Sequence, residues 1–99
     1  MKFNVLFSDN AEIDLQNIEK YLSQFYTGTV KRFFDKLKKQ LITLETMPHM
    51  YPEYELDPFF RKTVINDYLL FYSVDEIKHQ VIIHRIFHSA RNISKLIND

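Results

Sequence analysis

The sequence predicts a single α+β domain in which two helices pack on one face of a sheet. The apolar residues of the first half recur at helical spacing, whereas residues 60–87 are rich in Val, Ile, Phe and Tyr and divide into three short runs. A chain of 99 residues suffices for one hydrophobic core but not for two. We therefore expect residues 1–99 to form one domain.

The N-terminal segment predicts a strand followed by a helix. Phe3, Val5 and Phe7 alternate with Lys2 and Asn4, and Ser8 or Asp9 can cap the helix that follows. Asp9 and Glu12 have the spacing of a capping box. The predicted buried stripe consists of Ala11, Leu15, Ile18, Leu22 and Phe25, and the side chains predicted to face solvent are Glu12, Asp14, Glu19 and Lys20.

A second helix is predicted after Gly28, the single glycine of the chain. Thr27-Gly28-Thr29 interrupts the first stripe, and a glycine suits the turn that ends a helix. Helical spacing then resumes at Val30, Phe33, Phe34, Leu37, Leu41, Leu44 and Met47. We expect the two helices to form an antiparallel hairpin.

The second half predicts an antiparallel meander. Residues 48–58 contain three prolines and are expected to form a loop. The runs 60–65, 68–74 and 81–87 predict three strands, which join the N-terminal strand in one sheet with one face left open. Residues 90–97 predict a short C-terminal helix.

The composition excludes several classes of chemistry. The chain has no cysteine, so disulfides, thiolate metal sites and cysteine nucleophiles are ruled out. No HExxH or paired histidine–carboxylate spacing occurs, and we expect neither a metal nor a cofactor. No apolar run approaches a membrane span and the N-terminus lacks the pattern of a secretory signal, so a cytoplasmic protein without membrane contact is expected.

Charge is segregated along a chain whose formal net charge is zero. Residues 1–30 and 40–58 are acidic, whereas residues 31–39 carry five cations against Asp35. The part from residue 59 onward is also net positive. A neutral total can therefore hide a basic face; the cluster at residues 31–39 is consistent with nucleic-acid contact or with a solvated helix surface.

Several short segments along the chain carry recognisable motifs. Ser8 and residues 11–18 are similar to the pattern S-x-x-A-x-x-D-L-x-x-I, and Met47-Pro48 ends the second helix. Arg61 precedes Tyr68 by seven residues, and residues 68–75 read YLLFYSVD. Residues 85–92, RIFHSARN, are close to the pattern R-[IV]-x-H-x-x-R-[DN]. In this order the segments resemble the RelE/ParE superfamily of toxins from bacterial type II toxin-antitoxin modules, and the last one resembles the ending of its ParE-like members.

The resemblance implies one of two activities. RelE-type members are ribosome-dependent ribonucleases with an Arg directly after the strand Tyr, whereas ParE-type members are described as inhibitors of DNA gyrase. Here Leu69 follows Tyr68, and the Lys-rich strand of the nucleases is reduced to Arg61-Lys62. We therefore expect a ParE-like toxin that interferes with gyrase; the alternative is a metal-independent mRNA endonuclease that acts on the ribosome.

The residues expected to contact the target are Arg61, Arg85, His88 and Arg91. For the nuclease alternative the catalytic candidates are Lys62, Arg85, His88 and Arg91, with His84 as a further acid-base candidate. Strand alternation predicts that His84 and Arg85 point to opposite faces, as do Arg61 and Lys62. Arg85 and Arg91 could instead pair with Asp67, Asp75 or Asp99, and His88 could simply anchor the last helix.

The resemblance also implies a partner. A toxin made by a living cell needs a cognate antitoxin, which we expect to be acidic and to bind as a helix or an added strand. A homodimer and a toxin-antitoxin heterotetramer are both compatible with the sequence.

Overall fold

Two helices and a five-stranded mixed sheet make up the part of the chain that the structure describes. The structure is a computed structural model that describes residues 2–25 and 27–89. The elements, in chain order, are β1 Asn4–Phe7, α1 Asp9–Leu22, α2 Thr27–Thr46, β2 Glu53–Tyr54, β3 Asp57–Ile65, β4 Tyr68–Asp75 and β5 Gln80–His88. The sheet order is β1-β5-β4-β3-β2, with β1 parallel to β5 and the other pairs antiparallel. The predicted α+β class and the meander β3-β4-β5 are confirmed, and the predicted C-terminal helix lies outside the described residues.

The two helices cover one face of the sheet, which holds the main core. Phe33, Leu37 and Leu44 of α2 and Ala11 and Ile18 of α1 are buried there. The sheet contributes the buried side chains of Ile65, Tyr68, Leu70, Tyr72, Val81, Ile83 and Ile86. The backbone amide of Phe3 donates to the carbonyl of Glu45 at 2.8 Å and so ties the start of the chain to the end of α2.

The opposite face, called here the distal face, carries a smaller apolar cluster. Tyr54, Leu69, Phe71 and Phe87 are buried in it, and Phe60 packs against them. Neither described helix covers this face, in agreement with the prediction that the helices pack on one face only. Aromatic rings contributed by the strands themselves bury this part of the sheet, with Tyr54 and Phe71 in edge contact at 5.0 Å between centroids.

Three local predictions were wrong. Part of the predicted loop at residues 48–58 is strand, because β2 adds to the sheet edge and β3 begins at Asp57. Gly28 lies in the first turn of α2 without a positive φ, and α1 instead ends at Leu22 with Ser23 as its C-cap. Phe25 consequently falls outside α1 and is 55% exposed.

Candidate functional site

Two cations flank an aromatic ring on the distal face. Lys62 of β3 pairs with Phe71 of β4, which in turn pairs with Arg85 of β5. Neighbouring strands lie about 4.8 Å apart, so the backbones of Lys62 and Arg85 are separated by roughly 10 Å. The Nζ of Lys62 lies 5.4 Å from the ring centroid of Tyr54, and the guanidinium of Arg85 lies 5.6 Å from that of Phe87.

A bulge in β5 places His84 and Arg85 beside the same hollow. Phe71 pairs with Arg85 but Tyr72 pairs with Ile83, so His84 is an extra residue in the ladder. A bulge interrupts the alternation of side chains, and the prediction that the two residues point to opposite faces was therefore wrong. The hollow has a volume of about 330 Å³ and is lined by Ser8, Asn10, Asp57, Phe60, Phe71, His84 and Arg85.

The start of α1 supports this bulge. The hydroxyl of Ser8, the N-cap of α1, accepts a hydrogen bond from the amide of Ala11 and donates to the carbonyl of His84 at 3.0 Å. The amide of Ser8 donates to the carbonyl of Ile83 at 2.9 Å. Ser8 thus stabilises the helix terminus and holds the irregular strand in place.

Asp14 of α1 fixes the position of Arg85. Nε and Nη2 of Arg85 donate to the two carboxylate oxygens of Asp14 at 2.8 and 3.2 Å, and the amide of Ile86 donates to the same carboxylate at 2.9 Å. Asp14 is buried, contrary to the prediction that it faces solvent. The expected alternatives Asp67 and Asp75 are not the partners of Arg85. Asp14 had a signal in the sequence, since Ala11, Asp14 and Ile18 share a helical spacing of three and four residues.

His84 is a neutral group in an aromatic setting. Its Nε2 lies 2.8 Å from the hydroxyl of Ser73, and its ring contacts those of Phe60 and Phe59 at 5.1 and 5.9 Å between centroids. Burial lowers the pKa of His84 below its usual value of 6.5. Near neutral pH this side chain can accept a proton, but it does not supply a positive charge.

Arg61 lies away from the distal face and holds a loop. Its Nη1 donates to the carbonyls of Tyr51 at 2.6 Å and His49 at 3.4 Å. Tyr72, its partner on β4, donates its hydroxyl to the carbonyl of Pro48 at 2.8 Å, and burial raises the pKa of Tyr72 to about 12. Arg61 therefore stabilises the segment between α2 and β2, whereas Lys62 faces the distal cluster.

His88 lies on the helix-covered face. It pairs with Tyr68 across the sheet, and the two rings make an edge contact with centroids 5.4 Å apart. Both line a hollow of about 240 Å³ against α1, together with Asp14, Asn17, Ile18, Tyr21 and Ile86. The fold thus brings Lys62, His84 and Arg85 to one face and places His88 on the other; Arg91 lies outside the described residues.

No metal centre or membrane-spanning helix occurs in the described part of the chain. Residues 2–25 and 27–89 contain no group of three histidine or acidic side chains arranged to hold a metal ion. None of the helices in these ranges is long and apolar enough to cross a membrane. The side chains of His49 and Glu76 contact each other on an exposed surface.

Solved toxin structures share this architecture. A structure of the chromosomal ParDE toxin-antitoxin system from P. aeruginosa matches with a TM-score of 0.71 and 14% identity, covering 88% of this chain and 96% of that one. The isolated RelE toxin of E. coli matches with a TM-score of 0.59 and 19% identity, covering 97% and 96%. The intact E. coli RelBE complex matches with a TM-score of 0.57 and 20% identity, covering 90% and 99%. The fold is therefore that of the RelE/ParE toxins.

The sequence itself identifies the branch. Residues 5–93 match the family described as ParE toxin of type II toxin-antitoxin system, parDE. The search of curated proteins gave no significant match. The chain belongs to the ParE toxin family, which confirms the resemblance seen in its sequence.

Proposed function

We propose that the protein inhibits bacterial growth by interfering with DNA gyrase. The observation that carries this proposal is the burial of Leu69, which is 7% exposed within the distal apolar cluster. Leu69 occupies the position at which the nuclease branch has a catalytic arginine. A buried leucine cannot stabilise the charge that develops on a phosphate during RNA cleavage.

The remaining distal side chains also favour binding over cleavage. His84 is neutral near pH 7, and Arg85 is held by the carboxylate of Asp14. Ribose-directed cleavage needs a base, a cation and an acid close to one phosphate. His88 is on the opposite face from Lys62 and Arg85, so these candidates do not form one group. We propose that Arg85 and Arg91 contact the target, that His88 instead packs against Tyr68 on the helix-covered face, and that Arg61 acts by supporting the loop.

The experiment compares two targets in parallel. The purified protein is added to gyrase with relaxed plasmid and, separately, to ribosomes translating a defined mRNA. The expected result is inhibition of supercoiling with intact mRNA, and naked RNA should not be cut in either case. Normal supercoiling together with ribosome-dependent cleavage would replace this proposal by the nuclease alternative, above all if Lys62→Ala or His88→Ala abolished cleavage in a folded protein.

A cognate antitoxin is the proposed partner. The RelBE structure is a toxin-antitoxin complex, and exposed apolar side chains on α1, Ile13 and Tyr21, supply contact area for an amphipathic helix. We expect an acidic, partly disordered antitoxin that binds far more tightly than micromolar. Pull-down from the native host should recover a small product of a neighbouring gene, and light scattering of that complex will separate a heterotetramer from a toxin homodimer; recovery of no such product would contradict the assignment.

A further inference from the structure

The outer surface of α2 carries a dense group of cations. Lys31, Arg32, Lys36, Lys38 and Lys39 are all exposed, and Asp35 is the only acidic residue among them. The formal net charge of the whole chain is zero, so any attraction exerted by this group is local. The buried stripe of the same helix points to the core through Phe33 and Leu37.

Most of these cations are not neutralised by a carboxylate. Lys31 forms an ion pair with Asp35 at 2.8 Å. In contrast, Lys36 donates to the side-chain oxygen of Asn66 at 2.6 Å, and Arg32 lies 3.5 Å from the hydroxyl of Thr29. Both of these contacts are with neutral groups, so the two positive charges remain available to an anion. In the part of the chain that the structure describes, Lys38 and Lys39 also have no ion-pair partner.

Three of the cations border two neighbouring hollows between α2 and the end of β3, called together the groove. Arg32 lines a hollow of about 410 Å³ with Thr29, Asn66 and Asp67, among others, whereas Lys36 and Lys39 line one of about 280 Å³ with Gln40, Val64, Ile65 and Asn66. Asn66 lines both hollows, which are therefore adjacent. Asp67 is the one carboxylate that lines either hollow.

The three residues form one row along α2. Arg32, Lys36 and Lys39 follow one another at four and three residues, which corresponds to about 6 and 4.5 Å along the helix axis and keeps them on one side of the helix. A row of cations without carboxylate partners attracts the phosphates of a nucleic-acid backbone. We propose that Arg32, Lys36 and Lys39, called here the α2 stripe, bind the phosphate backbone of duplex DNA.

The chemistry of the groove favours a duplex over other polyanions. Single-stranded nucleic acids are held by stacking on aromatic rings, but the two aromatic residues that line these hollows, Phe33 and Tyr68, are both buried. A docked peptide needs apolar anchors, and Val64 is the one exposed apolar residue in the hollow at Lys36 and Lys39. The choice of DNA over RNA rests on the proposed action on gyrase, whose substrate is duplex DNA.

The test measures the anisotropy of a short fluorescent DNA duplex titrated with the full-length protein at several salt concentrations. The stripe variant R32Q/K36Q/K39Q is compared with the control K2Q/K20Q/K78Q, which removes the same charge from exposed lysines elsewhere. Three phosphate contacts predict a log–log salt slope of about −2.7, which corresponds to about a 40-fold loss of affinity between about 50 and 200 mM salt. The stripe variant should bind at least about tenfold more weakly and with a shallower slope, whereas the control should stay within about twofold. Melting temperatures confirm that both variants are folded.

Three results would overturn the proposal. Equal weakening by both variants would assign the attraction to overall charge, and tighter binding of an RNA duplex would assign the stripe to RNA. Competition by poly-glutamate as effective as that by DNA would make the groove a peptide site. The anisotropy assay contains no gyrase and the supercoiling assay scores gyrase directly, so failure of the DNA site and failure of the proposed function are read separately.

Discussion

The two faces of the sheet differ in what covers them and in what they leave accessible. On the helix-covered face, α1 and α2 pack on the sheet and bury one core cluster, whose members include Ala11 of α1 and Ile86 of β5. On the distal face, Tyr54, Leu69, Phe71 and Phe87 form a small cluster bordered by Lys62, His84 and Arg85. The first face has the features of a stability element, and the second has the mixed aromatic and cationic character of a binding surface.

Asp14 links the two faces. It lies on α1 and is buried, yet its carboxylate holds the guanidinium of Arg85 at the distal hollow. The helix layer therefore positions a side chain on the surface that we propose to contact the target. Substitutions in the helix-covered core should mainly lower the free energy of unfolding. Substitutions confined to the distal face should mainly reduce the activity on the target.

The largest expected effect comes from a charge in the helix-covered core. Leu37 is 4% exposed, so Leu37→Asp places an unpaired carboxylate among apolar side chains and should cost more than about 4 kcal/mol, enough to unfold the domain. Ile42, on the same helix, is 55% exposed, and Ile42→Asp is the matched control. Circular dichroism melting checks both variants; an unchanged transition for Leu37→Asp would refute the assigned core.

The second largest effect is expected on removal of the ion pair between Asp14 and Arg85, which links the two faces. Asp14→Ala removes three hydrogen bonds and leaves the cation of Arg85 without its partner, which should destabilise the fold by about 2–4 kcal/mol. Glu19→Ala removes an exposed carboxylate from the same helix and should change stability by less than about 0.5 kcal/mol. Urea unfolding gives both values. Similar values for the two variants would mean that the Asp14–Arg85 contact contributes nothing.

A smaller effect is expected at the loop that Arg61 holds. Arg61→Gln removes the bonds to the carbonyls of Tyr51 and His49 and should cost about 1 kcal/mol, since the contact is only partly buried. Lys62→Gln, one residue along the strand, should leave stability nearly unchanged. Growth arrest by Arg61→Gln should fall only in step with stability, and a stable but non-toxic Arg61→Gln would instead place this residue at the target.

The smallest effect is a pH dependence that arises from His84. Because burial lowers its folded-state pKa below 6.5, the unfolded chain binds a proton first as the pH falls. The contribution of neutral His84 to stability is complete above pH 6.5 and decreases as the pH falls from that value toward the lowered folded-state pKa. His84→Gln should remove this decrease in urea unfolding between about pH 7 and 5, whereas His49→Gln should retain it. An unaltered pH profile for His84→Gln would contradict the assignment.

The regular spacing of apolar residues predicted most of the buried core positions. The helical stripes containing Ile18 and Leu37 and the strand runs placed most of the main core correctly, because burial of one face imposes a regular spacing. The turn at Asn66 was also predictable, since asparagine tolerates the left-handed conformation observed there (φ 54°). Leu69 was recognised as the departure from the nuclease pattern, and its burial agrees with that interpretation.

The features that could not be predicted depend on contacts between distant segments. The bulge at His84 is a property of how β5 pairs with β4, and no local pattern in residues 81–87 encodes it. The partner of Arg85 lies 71 residues away, and although the spacing of Asp14 is that of a buried position, no local pattern shows which cation it meets. The strand character of β2 likewise arises only because β3 is available to pair with it.

The most direct test removes the positive charge of Arg85 from the distal face while keeping a polar contact between positions 14 and 85. In the double variant D14N/R85Q, an amide pair replaces the ion pair, and the side-chain oxygen at position 14 can still accept from the amide of Ile86. The net charge is kept while the cation at the hollow is lost. The account predicts a melting temperature within a few degrees of wild type and loss of both growth arrest and inhibition of gyrase supercoiling. Full activity at an unchanged melting temperature would contradict the claim that Arg85 on the distal face contacts the target.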